Sequence, residues 1–151
     1  MAKMQLDFTE SQRVIAPEGE YSLRLKEKVK KPSRASGKLM FELSWMPFDP
    51  PDGVSQESLD KCIIKDWISL APNALFSLKN LMWASGVECE CAGCNNKYSA
   101  KLDACDRCQS AVFSVDDDFI GATEVRAFII VKKDQAGEND VNEIKKYLPM
   151  I

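Results

Sequence analysis

The chain has 151 residues, 45 % of them apolar and 28 % charged, with a formal net charge of −3 and no histidine. That length suits one folded domain with a real core, and no apolar run approaches the roughly 20 residues that a membrane helix needs. The missing histidine excludes Ser–His and Cys–His nucleophile pairs, His-ligated catalytic zinc and the usual neutral-pH general base; a charge of −3 excludes a uniformly basic nucleic-acid binder.

Residues 1–18 are polar and mixed and read as an arm. They contain no apolar stretch of the signal-peptide kind, so the chain is expected to stay in the cytoplasm. Pro17-Glu18-Gly19 marks a turn. Tyr21, Leu23 and Leu25 then alternate with Ser22, Arg24 and Lys26, the period-2 pattern of a half-buried strand. Lys30 to Lys38 reads as a loop. A second strand carries Leu39, Phe41, Leu43 and Trp45 on one face. Pro47 to Ser58, with three prolines and Gly53, reads as a surface loop. A third strand spans Lys61–Leu70, with Cys62, Ile64, Asp66 and Ile68 on one face and Lys65 and Trp67 on the other.

Pro72 suits the first turn of a helix, whose face is Leu75, Leu78, Leu81 and Met82 and whose end is marked by Gly86. The cysteine segment, 89–110, follows. After it, Ala111–Val115 is short and apolar and Asp116–Asp118 is acidic. A strong strand has Val125, Ala127, Ile129 and Val131 on one face and Arg126, Phe128, Ile130 and Lys132 on the other. A turn over Asp134–Asp140 leads to a last, weakly periodic strand at Val141–Leu148. Three strands, a helix, then two strands is the element order of an OB-fold barrel. The expected fold is therefore all-β: one five-stranded barrel over residues 1–151, a helix between its third and fourth strands, and a small insert at 89–110.

Five of the six cysteines fall between Cys89 and Cys108. Cys91-Ala-Gly-Cys94 and Cys105-Asp-Arg-Cys108 are two C-x2-C pairs, the spacing with which paired thiolates complete a tetrahedron around zinc. Four thiolates leave no position for water, so the expected cofactor is one structural zinc. Two disulfides or free thiols are the alternative, disfavoured in a reducing compartment. Cys89 is an alternative first ligand to Cys91. Cys62 reads as a small core residue.

From Arg24 to Lys38, seven cations (Arg24, Lys26, Lys28, Lys30, Lys31, Arg34 and Lys38) face the single carboxylate of Glu27, a local sum of +6. Cations that neutralise phosphates, interleaved with aromatics that stack on bases, are what single-strand binding needs. Trp45, Lys65, Trp67, Arg126, Phe128 and Lys132 join those seven as candidate nucleic-acid contacts. The plain alternative is a solvated lysine face over core aromatics. Asp116, Asp117 and Asp118 read as a solvated acidic turn, since three consecutive carboxylates do not all face one ion. Two functions from different classes remain open: a single-stranded-DNA (or RNA) binder, and a zinc-ribbon adaptor that binds protein. A nuclease or other enzyme, with Mg²⁺ on Asp116, Asp117 and Asp118, is a distant third, and the expectation is a protein that is not an enzyme.

The order of motifs resembles a phage family, long filed as a domain of unknown function, with OB-fold single-stranded-DNA-binding members. The resemblance rests on Ile15-Ala-Pro-Glu-Gly-Glu-Tyr21, Lys31-Pro-Ser-Arg-Ala-Ser-Gly-Lys38 and Asp66-Trp67-Ile68-Ser69-Leu70. It continues through Ser77-Leu78-Lys79-Asn80-Leu81, Ala84-Ser85-Gly86, Phe119-Ile120-Gly121 and Asn142-Glu-Ile-Lys-Lys-Tyr-Leu-Pro149. It covers residues 14–88 and 112–149; the cysteine segment stands outside it. What the resemblance implies is sequence-non-specific single-strand binding in phage DNA replication or recombination, in the host cytoplasm, beside other replication or recombination proteins.

Overall fold

The computed structural model describes residues 2–7 and 14–150. Its first strand, β1 (Gly19–Pro32), runs well past the alternation that announces it. The reason is a bulge at Lys26, where the register with the next strand slips between Leu25 and Glu27. An extra residue reverses side-chain parity. Tyr21, Leu23 and Leu25 point inward before the bulge; after it Lys28 and Lys30 take the inner side, opposite Leu43 and Phe41. Lys30, Lys31 and Pro32 therefore belong to the strand and not to a loop. The loop proper is closed by the Ser33 N–H on the Lys38 carbonyl and the Gly37 N–H on that of Ser33, each at 2.8 Å.

β2 (Leu39–Phe48) pairs antiparallel with β1 and with β3 (Ile64–Ser69). It buries Phe41, Leu43 and Trp45 on one face, as the alternation predicts. The proline-rich stretch ends in a 3-10 turn, Gln56–Leu59, capped by Ser55. After a 3-10 turn opened by Pro72, α1 (Phe76–Ala84) buries Leu78, Leu81, Met82 and Ala84. Gly86 (φ +75°) ends it in the left-handed conformation that favours glycine. The Val87 and Gly86 N–H groups bond back to the Met82 and Trp83 carbonyls, a Schellman closure.

The cysteine segment forms its own small sheet of β4 (Cys89–Cys91), β5 (Lys97–Tyr98) and β6 (Phe113–Ser114), in the order β5-β4-β6. Phe113 and Ser114 thus pair within the insert, beyond its expected end at 110. A 3-10 turn at Asp117–Phe119 leads back to the body. β7 (Val125–Lys133) pairs with β1 and with β8 (Asp140–Leu148). A second bulge slips the β7–β8 register between Phe128 and Ile129, which is why the periodicity of the last strand is weak.

The main sheet has the order β3-β2-β1-β7-β8, antiparallel throughout. No hydrogen-bond ladder joins β3 to β8, so this is a five-stranded sheet with two edges and not a ladder-closed barrel. Side chains span the gap. The Trp45 Nε1–H donates to the Tyr147 hydroxyl (3.1 Å), which donates to Asp66 Oδ2 (2.6 Å). At the other end Ala16 is fully buried, and its N–H and C=O both bond to the Asn142 amide side chain, each at 2.8 Å. The arm expected over 1–18, part of which lies outside the described residues, therefore ends as a docked segment between the two edges. No helix among the described residues is long and apolar enough to cross a membrane.

Candidate functional site

The two C-x2-C stretches fold into the same turn twice. In the first, the Cys91 N–H donates to the Asn96 carbonyl (2.8 Å) and the Asn95 N–H to that of Cys91 (3.0 Å). In the second, Cys105 donates to Ser110 (2.9 Å) and Gln109 to Cys105 (3.0 Å). Asn95 and Gln109, each four residues after the first cysteine of its pair, both adopt positive φ. Each turn aims amides at sulfur: the Gly93 N–H reaches Cys91 Sγ (3.3 Å) and the Arg107 N–H reaches Cys105 Sγ (3.4 Å).

The four sulfurs of Cys91, Cys94, Cys105 and Cys108 lie within 4.8 Å of one another and can hold a metal ion. The closest pairs, Cys91–Cys108 and Cys94–Cys105, are 3.4 and 3.7 Å apart. A tetrahedral thiolate site with 2.3 Å bonds has sulfur–sulfur edges of about 3.8 Å, so the donor set fits such an ion. The electrostatics agree. The Cys108 amide, helped by Asn96 and Arg107, draws the Cys105 thiol down to about 6. The Cys94 amide does the same in direction for Cys91. Against the pull of the Ser110 amide, Cys91 and Cys94 push the Cys108 thiol up to about 12. Four thiolates so close do not ionise together unless a cation replaces their protons.

Cys89 is fully buried, and its sulfur is not among the four. It sits across from Tyr98, whose hydroxyl is buried without a hydrogen-bond partner and is pushed up to about 12 by burial. Cys62 is a core residue, as its strand parity predicts.

The candidate nucleic-acid residues do not form one surface. Trp67 (53 % exposed) and Lys65 share the outer face of β3, as expected. Trp45 is 1 % exposed, packs against Tyr147 and donates its only polar hydrogen inward, so it is removed from the candidate contacts. Lys31 and Lys65 both pair with Glu42 on the same outer face, at 2.6 and 3.3 Å, and hold its carboxyl below its ordinary value, Lys31 most.

Lys28 and Lys30 lie at the inner end of β1, both at 3.9 Å from Asp117. Asp117 is thus a counter-charge to the basic run, while Asp116 and Asp118 are exposed as a solvated turn would be; contrary to expectation the three carboxylates do gather, within 4.8 Å of one another. Arg24 pairs with Glu124 and stacks on Phe48. Arg126 is tied to Asp49 (2.9 Å), Glu20 and Ser22, and Phe128 lies under Lys145. Lys26, Arg34 and Lys38 are exposed and carry no ion pair among the described residues.

A groove of about 730 Å³ separates β3 from the β7–β8 hairpin. Lys61, Ile63, Lys65 and Trp67 form one wall, Lys132, Lys133 and Gln135 the other, and Val14, Ile15 and Asn142 lie between them. Asp66, at its base, has its carboxyl raised by burial, an effect the Tyr147 hydroxyl partly offsets. Lys61, Ile63 and Lys133 were not singled out in the sequence. The strand expected from Lys61 begins at Ile64, so Lys61 lies in the preceding turn and Ile63 directly before β3; only Lys65 and Trp67 are placed on this wall by strand parity. The opposing wall comes from strand order, which parity does not report. The protein-family models that were searched contain no match to the chain, and a search of curated proteins finds none either.

Proposed function

We propose that the chain binds single-stranded DNA without sequence preference, along the outer face of β3 and into the groove between β3 and the β7–β8 hairpin. The observation that carries this is Trp67. A large, half-exposed indole in a groove walled by Lys61, Lys65, Lys132 and Lys133 offers a stacking face beside cations. Of these, Lys65, Lys132 and Lys133 are paired in the free protein with Glu42, Glu143 and Asp140 and must exchange those partners for phosphate. Burying such a ring on a base removes apolar surface from water, while the lysines meet the backbone. Stacking and phosphate contact are both indifferent to base identity, hence the lack of sequence preference.

In this reading the five-stranded sheet is an OB-fold barrel whose seam is sealed by Trp45, Tyr147, Asp66 and the docked Ala16 in place of a ladder. The cysteine cluster holds one structural zinc. An all-thiolate tetrahedron suits that ion and leaves it no open position for chemistry. The role is binding and not catalysis, in DNA replication or recombination, as the resemblance to the phage family implies. A protein-binding adaptor is the second reading, and exposed Val112 and Leu102 on the insert favour it.

Titrating fluorescent single- and double-stranded DNA and RNA oligonucleotides at two salt concentrations separates the two. Salt-dependent binding with a preference for single strands is the expected result. Wild-type protein that ignores every oligonucleotide at low salt hands the case to the adaptor.

A further inference from the structure

The basic run and the acidic turn, nearly 90 residues apart in sequence, meet in one contact. Lys28 and Lys30 stand two apart on β1, beyond the bulge, so both ammonium groups emerge on one side. Both lie 5.8 Å from the centre of the Phe41 ring, which holds them side by side. The Asp117 carboxylate sits between them, one oxygen toward each, at 3.9 Å. Two lysines spaced by a strand repeat and bridged by one anion make a site for an oxyanion. In the free protein that oxyanion is the chain's own.

We infer that Asp117 holds the place of a nucleic-acid phosphate between Lys28 and Lys30, and that a bound strand exchanges its phosphate for the carboxylate. This rests on the single-strand reading above and adds a second phosphate contact to it, one that is masked in the free state. Three observations support the exchange.

The ion pair is open to water: the side chains of Lys28, Lys30 and Asp117 are 27 %, 49 % and 41 % exposed. Pairs so exposed contribute little net free energy and are screened by salt. The lysines stay in position without the carboxylate, because Phe41 lies against both and the Lys28 ammonium also donates to the Asp117 backbone carbonyl (3.1 Å). The turn also stays in position. Phe119 and Ile120 are buried in the body, the Ile120 N–H bonds to the Asp117 carbonyl, and Asp116 caps Asp118. Rotation of one side chain is enough.

The consequence is a weakened salt dependence in the wild type. A phosphate that only replaces a carboxylate releases few counterions, since the lysines were already neutralised. Asp117→Asn should therefore bind single-stranded oligonucleotide more tightly. Its log K against log [salt] should be steeper by about 0.7 for one recovered phosphate contact. Adding Lys28→Ala and Lys30→Ala to that variant should abolish both changes. Asp117→Ser, with thermal melts of every variant, guards against a folding effect.

Titration of the wild type with inorganic pyrophosphate, followed by amide and lysine ammonium NMR signals, tests the anion site without any nucleic acid. Shifts confined to Lys28, Lys30 and the 116–118 turn are expected. If oligonucleotides bind but Asp117→Asn leaves the slope unchanged, or keeps its gain after the lysines are removed, the exchange is wrong and the binding reading stands. If pyrophosphate shifts those signals while no oligonucleotide binds, the anion site stands and the single-strand reading falls. If neither ligand binds, both fall.

Discussion

The five-stranded body and the cysteine insert hold their strands together by different physics. The body buries Trp45, Tyr21, Leu23, Leu43, Ile64, Ile68 and Ile129 from facing strands, a core large enough to stabilise itself. The insert has strands of two and three residues, and most of what it buries is Cys89, Cys91, Cys105, Tyr98 and Ala100. Strands that short do not hold themselves in water. In the insert, paired turns and four thiols that can hold a metal ion stand where apolar burial does in the body. The insert's Cys89, Cys91, Tyr98, Ala100 and Cys105 pack into the same buried cluster as the body, but as its small outlying part, so loss of the thiol cluster should undo the insert before the body.

The largest effect expected is loss of the metal. Structural zinc sites contribute on the order of 10 kcal/mol or more to the fold around them. Chelation, or Cys105→Ser, should collapse amide protection over 89–114 while the body keeps its melting transition. Hydrogen exchange resolved by region measures this. A body that melts together with the insert would show that the two are one cooperative unit.

The next effect belongs to the seam of the body. Tyr147→Phe leaves the Trp45 indole N–H and the Asp66 carboxyl without their shared partner. An orphaned buried polar group costs about 1–3 kcal/mol, so the body should lose roughly that much stability. Asp66→Asn should behave in the opposite way. Burial raises the Asp66 carboxyl above 3.8. Stability from such a group is fully present below its unfolded value and is lost as pH rises through its folded one. The asparagine oxygen still accepts from Tyr147 and carries no charge to desolvate, and what it gives up is the partly exposed bond that the second carboxylate oxygen accepts from the Trp67 N–H (3.0 Å). The variant should melt no lower than the wild type at pH 7, and its advantage should shrink as the pH falls through the raised folded value of Asp66 and be gone below 3.8. A variant that melts lower at pH 7 would mean that the ionised carboxylate is needed at the seam.

Much of this was legible in the sequence, and the exceptions share a cause. Strand parity placed Trp67 outward with Lys65 and Cys62 inward, and the helix-ending preference of glycine placed Gly86 at the end of α1. Parity failed where bulges reset it. Lys26 hid the second half of β1, and the slip beside Phe128 blurred β8. Trp45 looked like a stacking candidate because lysines precede it in sequence, yet its own parity with Phe41 and Leu43 marked it as core. The partners of the basic run were the least legible. Glu42 reaches Lys31 and Lys65 across strands, and Asp117 reaches Lys28 and Lys30 from beyond the insert. Composition counts charges and is silent on which of them meet.

Trp67→Ala divides surface from core within the body. If the indole stacks on a base, the variant should lose about 1–3 kcal/mol of oligonucleotide affinity with an unchanged salt slope, since no phosphate contact is removed. Its melting temperature should stay near that of the wild type, because half the ring is already in water. Wild-type tryptophan fluorescence should quench on binding; it should not in Trp67→Phe, where the stacking ring remains but the reporter is gone. A drop in melting temperature without a change in affinity would move Trp67 to the core.

The smallest effect expected is at Cys89, and it sharpens the boundary between the metal centre and its support. Cys89 and Cys91 lie two apart on β4 and are both fully buried, so neither parity nor burial tells the ligand from its neighbour. The turn does. The Gly93 N–H is aimed at Cys91, the Cys91 backbone opens the closed turn with Asn96, and the same pattern recurs at Cys105. Cys89 instead faces Tyr98, and its sulfur lies outside the four that gather. Cys91→Ser should therefore remove the metal, whereas Cys89→Ala should leave the metal content of the purified protein at that of the wild type. The cost of Cys89→Ala should be confined to packing around Tyr98, within about 1 kcal/mol for so small a change of volume. Metal content that falls in Cys89→Ala and holds in Cys91→Ser would reverse the assignment, and the first turn would have to be redrawn around Cys89.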